Sequence, residues 1–521
     1  MKKSSQAKKP AFTAKAALLF GSGTLTSRIL GLIRDSLLFS LMPLDMKDAW
    51  LAAFRLPNFF RRLLGEGGLS VSFIPVYVSL LGEKDSEQRK ALINGVFTLL
   101  MSVVSLICLI CFFFMDSIIT TWLSGSGFTD VPGKIEMTIS MAKVMVFFLF
   151  FISLFAYFMA LLNGLKKFTL SGYAPMFLNI GIISGLLLYK GQGNLAIASS
   201  WAVVIGGALQ AFFLLPAVIR AGVLPKISNG FKSPAVKKVM LKFVPTVFGV
   251  GVLQILAMIN VYFASQLQPG AISYIYLGDR LLELPLSLIA VSIGTTLLPT
   301  LSGYWGENKK DVFMGCLVRH LSLFYFLALP AAFGLWFMGT DIVDVLFSRG
   351  EFTASEVPIV GAILKIYCIT LLAAGSLKIL NQALYATGDT LTPALISIVG
   401  LSIHLFLAPV LMAKYQINGL VGSTAIITLF NLVCCVFVLQ KKIAIIDWKV
   451  ITGHFVGCLG AASAMGFYLV GVSQFHWQQG RFILDFPILL CLITVAGIIY
   501  FGFAAVFKVE ELDWLKRKLK R

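Results

Sequence analysis

Charge is what this chain has least of. Asp, Glu, Lys and Arg together make up 13% of 521 residues. No connection between its apolar runs is long enough to hold a soluble catalytic domain; the longest are Arg220–Lys242 and Gly339–Pro358. Histidine is rarer still, and His320, His404, His454 and His476 are scattered, which excludes a histidine metal cluster. The cysteines lie almost all inside apolar runs. Cys108 and Cys111 form a C-x-x-C within L-I-C-L-I-C-F-F-F, with no nearby histidine or second pair, so they read as small packing residues rather than zinc or redox ligands. Walker A, H-E-x-x-H, G-x-S-x-G and paired-carboxylate phosphotransferase patterns are all missing. No cofactor and no ATP hydrolysis are therefore expected, and the chain does not read as an enzyme. Any work it does would draw on an ion gradient, the membrane potential or downhill flux.

What the chain has instead is apolar length. Hydrophobic residues make up 58% of it and the mean hydropathy is +0.89, values of a polytopic membrane protein. Runs of about 20 apolar residues mark membrane spans. Fourteen can be placed, at 15–42, 47–81, 91–122, 135–163, 169–189, 195–219, 240–266, 271–302, 312–338, 355–386, 390–413, 417–440, 450–473 and 483–507. The formal net charge of +19 suggests nucleic acid at first sight, but its distribution argues otherwise. Alternate connections collect the basic residues, among them Lys84, Arg89, Lys90, Lys166, Lys167, Lys237 and Lys238. The opposite side holds only Lys47, Lys134, Lys190, Arg349, Lys414 and Arg481. By the positive-inside rule both termini are cytoplasmic, as an even number of spans requires. The basic N-terminus lacks an A-x-A cleavage signal and reads as a tail before a retained helix.

Two stretches repeat. F-R-L-P near Arg55 and S-V-S-F-I-P at Ser70–Pro75 match D-R-L-L-E-L-P near Arg280 and G-T-T-L-L-P at Gly294–Pro299. Leu161–Pro175 likewise matches Ile379–Pro393. Six spans separate the equivalents, so the repeats run parallel, as in transporters with a central site between two lobes. The expected organisation is all-α: a cytoplasmic tail (1–14), an N-terminal six-helix lobe (15–222), a basic interfacial linker (223–239) and a C-terminal six-helix lobe (240–440). Two appended helices (441–508) and a basic C-terminal tail (509–521) complete it.

The charges that break the apolar pattern concentrate in Ser27–Phe73: Arg28, Arg34, Asp35, Arg55, Arg61, Arg62 and Glu66. Each costs about 2.5–3.5 kcal/mol at the bilayer centre. They must therefore face water, pair with one another, or lie near the membrane surfaces. Helical spacing puts Arg28, Gly31 and Asp35 on one face, with Arg34 beside it, and Arg55, Asn58, Arg62 and Glu66 in one stripe. Further on, Asp279 and Glu283 flank Arg280, with Ser273 about two turns earlier, while Lys378 stands alone. A surplus of arginine wants an anion, and the planar guanidinium suits phosphate oxygens. On this reading Arg28, Arg34, Arg61 and Arg280 bind a phosphate-bearing substrate. Asp35, Asp48, Glu66, Asp279 and Glu283 then hold or release those arginines. The competing reading makes them interhelical salt bridges without a ligand.

The stretch S-R-I-L-G-L-I-R-D, then F-R-L-P-N-F-F-R-R-L-L-G-E-G-G-L-S-V-S-F-I-P, resembles the MurJ (MviN) family of lipid II flippases. The likeness continues through Y-L-G-D-R-L-L-E-L-P, G-T-T-L-L-P-T-L-S, L-F-S-R-G-E-F-T and T-G-D-T-L-T-P, over essentially the full chain. That family belongs to the multidrug/oligosaccharidyl-lipid/polysaccharide exporter superfamily, with fourteen helices in two lobes. The resemblance implies a flippase in the bacterial cytoplasmic (inner) membrane. It would carry lipid II, an undecaprenyl-diphosphate-linked disaccharide-pentapeptide, from inner to outer leaflet for peptidoglycan synthesis. It implies cavity arginines at Arg28, Arg34, Arg61 and Arg280, functional acids at Asp48, Glu66, Asp279 and Glu283, and family positions at Asn58 and Ser273. Membrane lipids and cell-wall synthesis enzymes are its implied partners. Some members carry a sodium site in the second lobe, whose ligand set does not map onto this chain, so sodium, protons and the membrane potential all stay open as the coupling source. The alternatives are a flippase for another undecaprenyl-linked glycan, a drug exporter of the same superfamily, and a non-transporting scaffold for cell-wall enzymes.

Overall fold

The computed structural model describes residues 14–81, 86–472 and 482–512, without the side chains of 14–20, 64–67, 70, 245, 247–250 and 253. Among the described residues the secondary structure is helical throughout, apart from one isolated bridge between Arg349 and Phe352. That is what a bilayer demands, because a helix satisfies its backbone hydrogen bonds within itself. Ten described helices are long and apolar enough to cross a membrane by length and composition, which is consistent with fourteen spans. Their outward faces are greasy: Phe113, Leu188, Phe406, Phe467 and Ile483 are all more than two-thirds exposed.

The chain divides into two compact units. The first holds the described residues up to Met42, together with Ala49–Trp122 and Pro132–Gln254. The second holds Pro43–Asp48, Leu123–Val131 and the chain from Ile255 on. The division falls inside the helix Pro234–Ser265, beyond the basic linker at 223–239.

In the first unit, aromatic side chains form the interior. Trp50 stacks on Phe54 (5.1 Å between centroids), Phe54 meets Phe148 (5.9 Å), and Phe73 meets Tyr157 (5.6 Å). The Tyr157 hydroxyl donates to the Ile93 carbonyl at 2.5 Å, so its polar end is satisfied inside. Helices Pro175–Leu188 and Leu195–Arg220 pack backbone against backbone. A Cβ on Gly181 would lie 2.7 Å from the Gly206 Cα, so only glycine permits this approach.

In the second unit one cluster joins helices Ser292–Gly306, Lys310–Phe347 and Val357–Ala386 with the end of Leu391–Lys442. A second cluster seats Trp448–Val472 and Phe482–Val506 against Lys310–Phe347, where the Tyr500 hydroxyl donates to the Phe326 carbonyl at 2.6 Å. The spans expected at 390–413 and 417–440 form a single run broken by a non-helical Gln416 (φ 51°, ψ −129°).

One local expectation needs correcting. The stripe Arg55, Asn58, Arg62, Glu66 assumes α-helical spacing, but the α-helix Leu44–Phe60 passes into a π-helix at Arg61–Leu69. The wider turn follows Pro57, which denies the ladder a donor, and spans the sequence G-E-G-G. Residues past Arg61 therefore rotate away from the stripe that begins at Arg55. The second repeat does the same: Pro285 precedes a π-helix at Ser287–Val291. Two π segments, each just after the matching proline, support the internal repeat.

Candidate functional site

The arginines expected to face an anion sit in different surroundings. Arg34, on helix Ala14–Leu41, is only 7% exposed and fully engaged. Its Nε and Nη2 donate to Asp35 Oδ1 at 2.9 and 2.6 Å, and its Nη1 donates to Asn179 Oδ1 at 3.1 Å. Asn179 in turn donates to the Ser27 carbonyl at 2.9 Å, tying helix Pro175–Leu188 to the same helix about two turns earlier. Asp35 is thus the acid that holds Arg34, a buried pair whose rupture leaves an uncompensated charge. Asn179 was not singled out in the sequence; an asparagine in an apolar run was the available signal. Arg28, one turn and a half earlier, is half-buried.

Arg61 is half-buried at the start of the π-helix, and its Nε donates to Asn58 Oδ1 at 2.7 Å. Asn58 and Arg61, both expected at the substrate site but on neighbouring stripes, are therefore in contact, with Arg55 and Arg62 also half-buried nearby in sequence. The Glu66 side chain lies outside the described residues.

In the second unit, Arg280 lies 3.9 Å from Glu283, and both face accessible space, their side chains 27% and 57% exposed. Asp279 accepts a 2.7 Å hydrogen bond from the Tyr367 hydroxyl. Asp48 and Ser273 do something else. Asp48 is 1% exposed, and its carboxylate accepts from the Gly270 amide (2.6 Å), the Ser273 amide (2.9 Å) and the Ser273 hydroxyl (2.7 Å). Gly270 is the N-cap of helix Ala271–Leu286, so Asp48 caps that helix from elsewhere in the chain. Ser273 is fully buried in this contact, turned to Asp48.

Next to it lies a polar knot that the sequence reading missed. Lys47, with no exposed surface, donates to the Glu351 carbonyl at 3.1 Å and lies 3.8 Å from Glu356. Glu356 also accepts from the Tyr274 hydroxyl (3.2 Å) and the Thr353 amide (2.7 Å). The segment Leu123–Val131 lies against the same turn: a Cβ on Gly127 would come 2.1 Å from the Leu267 carbonyl oxygen. The available signal was the charge pair Lys47–Asp48 at a span boundary. In sequence it reads only as a loop. In the second unit a further cavity of about 860 Å³ is lined by Arg319, His320, Lys449 and His454 among others, and by none of the expected arginines. Among the described residues no group of three His, Cys, Asp or Glu side chains could hold a metal ion.

A family model described as lipid II flippase MurJ matches residues 44–491. The chain belongs to the lipid II flippase MurJ family. Relatives within that family align over most of the chain. A probable lipid II flippase MurJ of Bdellovibrio bacteriovorus is 38% identical over 508 residues, 96% of each chain. One of Vibrio cholerae is 34% identical over 432 residues, 80% of this chain and 81% of the relative. Among solved structures, a lipid II flippase MurJ in an inward closed conformation superposes with a TM-score of 0.77 at 24% identity, over 93% of this chain and 99% of that one. An inward-facing multidrug resistance MATE family transporter of the MOP superfamily superposes with a TM-score of 0.70 at 12% identity, over 82% and 98%. These likenesses place the fold among MurJ and MATE transporters, as the sequence implies.

Proposed function

We propose that the protein is a lipid II flippase, carrying the undecaprenyl-diphosphate-linked disaccharide-pentapeptide from the inner to the outer leaflet by alternating access. Family membership carries this reading, and the arginine surplus on helices otherwise apolar agrees with a diphosphate substrate. In this proposal Arg28, Arg34, Arg61 and Arg280 engage the diphosphate, with Asn58 beside Arg61. Asp35, Asp279 and Glu283 position the arginines, and Glu66 belongs to the same set. Asp48 and Ser273 act together as a latch whose opening exposes both. The lobes proposed are 15–222 and 240–440, with 441–508 appended, in a bacterial inner membrane with both termini cytoplasmic.

The test is complementation in cells depleted of their own lipid II flippase, with outer-leaflet lipid II measured at matched membrane levels. Wild type is expected to rescue; Arg28→Ala, Arg34→Ala, Arg61→Ala and Arg280→Ala are each expected to fail. Wild type that inserts correctly yet leaves lipid II inside would move another undecaprenyl-linked glycan into its place. Full rescue by every variant would make the charges structural and favour a scaffold for cell-wall enzymes.

A further inference from the structure

The cavity of about 860 Å³ in the second unit is walled by three parts of the chain. These are the first turns of helix Lys310–Phe347, the connection into Trp448–Val472, and the segment after Phe482–Val506. Between Asp311 and Ser322, both in its wall, the helix rises about 16 Å, which gives room for an extended ligand. Two oxygens of the lining residues have no hydrogen-bond partner, Ser322 Oγ and Glu511 Oε2. Both residues are buried, at 1% and 6% exposed. A buried polar atom in that condition calls for an explanation. The other Glu511 oxygen is taken by His454 Nδ1, and His454 Nε2 lies 3.7 Å from Glu510. As a carboxylate oxygen, Oε2 can only accept, so what it lacks is an N–H or O–H.

The charges decide what kind of ligand suits the cavity. Four carboxylates, on Asp311, Asp447, Glu510 and Glu511, stand against two permanent cations, Arg319 and Lys449. A lone anion is therefore a poor occupant. A metal ion is poor as well, because among the described residues no three His, Cys, Asp or Glu side chains could hold one. Both signs of charge spread along a deep cleft fit a ligand with an ammonium at one end and a phosphate at the other. The ammonium supplies hydrogens to the two unpartnered oxygens, and the phosphate answers the arginine and lysine.

Position points to the source of that ligand. The helix ends around the cavity carry Lys309, Lys310, Lys441, Lys442 and Lys508, with Trp448 among them, the pattern of a membrane surface. Ile445 and Val450, also in the lining, are exposed, as are Val506 and Phe507 at the end of the last helix. Acyl chains can lie against such residues while a head group enters the cavity. We propose that this cavity binds the phosphoethanolamine head of a membrane lipid, its ammonium at Glu511 and Ser322 and its phosphate at Arg319 and Lys449. The bound lipid ties the two appended helices to Lys310–Phe347.

The test titrates full-length protein in detergent with phosphatidylethanolamine, phosphatidylcholine and phosphatidylglycerol of identical chains, bound lipid being counted by native mass spectrometry. Phosphatidylethanolamine is expected to bind at least about tenfold more tightly than either of the others. Choline keeps the positive charge but has no N–H to give, and glycerol adds an anion without an ammonium. Ser322→Ala and Glu511→Gln are each expected to cut the preference over phosphatidylcholine by about threefold to tenfold. Arg319→Gln should weaken all three lipids alike. Ser322→Ala removes a single oxygen, so its melting temperature without lipid should match wild type, and it decides the matter even where Glu511→Gln fails to fold. Free phosphoethanolamine is expected to compete only at far higher concentration than the lipid. Equal affinity for the three lipids overturns the proposal, as does a preference that survives Ser322→Ala. Competition by free phosphoethanolamine at the lipid's own affinity overturns the membrane as its source. None of these outcomes bears on lipid II transport, because the cavity shares no residue with the arginines proposed for that substrate.

Discussion

At the scale of single residues, the same side-chain types serve different ends depending on what meets them. Arg34 and Arg280 look alike in sequence, yet one is buried between Asp35 and Asn179 and the other, 3.9 Å from Glu283, keeps its side chain 27% exposed. Asp48 looks like one more loop acid but caps helix Ala271–Leu286. Replacing it by alanine is expected to cost about 1–3 kcal/mol through two buried amides and a hydroxyl left without an acceptor. Thermal unfolding in detergent checks this, and Asp48→Asn, which keeps an acceptor oxygen, should recover part of the loss. Asp389, in the connection Thr387–Thr390, shows a milder case. Partial burial raises its carboxyl affinity for a proton, but the Lys442 ammonium at 2.5 Å and the Thr392 hydroxyl and amide outweigh that, bringing it to about 2. Because the folded state binds this proton less tightly than the unfolded chain, whose ordinary value is 3.8, the contribution is present above about pH 4. It is lost as pH falls toward 2. With Lys442 half-exposed the pair is worth only about 0.5–1 kcal/mol. The stability gap seen at pH 6 between wild type and Asp389→Asn should therefore shrink below about pH 4 and be nearly gone only as pH reaches about 2.

At the scale of elements, hydropathy placed the helices well, because length and apolarity are local properties summed along the chain. The winding within an element was harder to read. The π-helix Arg61–Leu69 follows a ladder that slips at Pro57, so α-helical spacing does not hold beyond Arg61. Deleting Gly67 is expected to convert the stretch to α-helix and turn everything after it by several tens of degrees. Phe73 and Tyr77, now fully buried, would then leave the core. The deletion should abolish complementation while circular dichroism still reports full helicity; retained activity would mean the wide turn is incidental. The break at Gln416 was legible as a boundary between two apolar runs, but not as a reversal that seats Ser423 against His404.

At the scale of the whole molecule, the lopsided lysines and arginines predict sidedness. A fluorescent protein fused after Arg521 should mature and glow in the cytoplasm, and alkaline phosphatase fused after Lys190 should be active outside it. Reversed signals would overturn the orientation. Membrane residence, helical class, the internal repeat and the family were all legible in sequence, since each rests on composition, period or an ordered run of residues. The arginine at position 34 and its acid were legible too, because they are neighbours in the chain. Tertiary structure alone decided the rest. Lys47 meets Glu356, Asp48 meets Ser273, and Asn179 meets Arg34 across separations of more than a hundred residues. The chain pattern reports that a buried charge needs a partner; which partner it finds is settled only when helices far apart in sequence pack side by side.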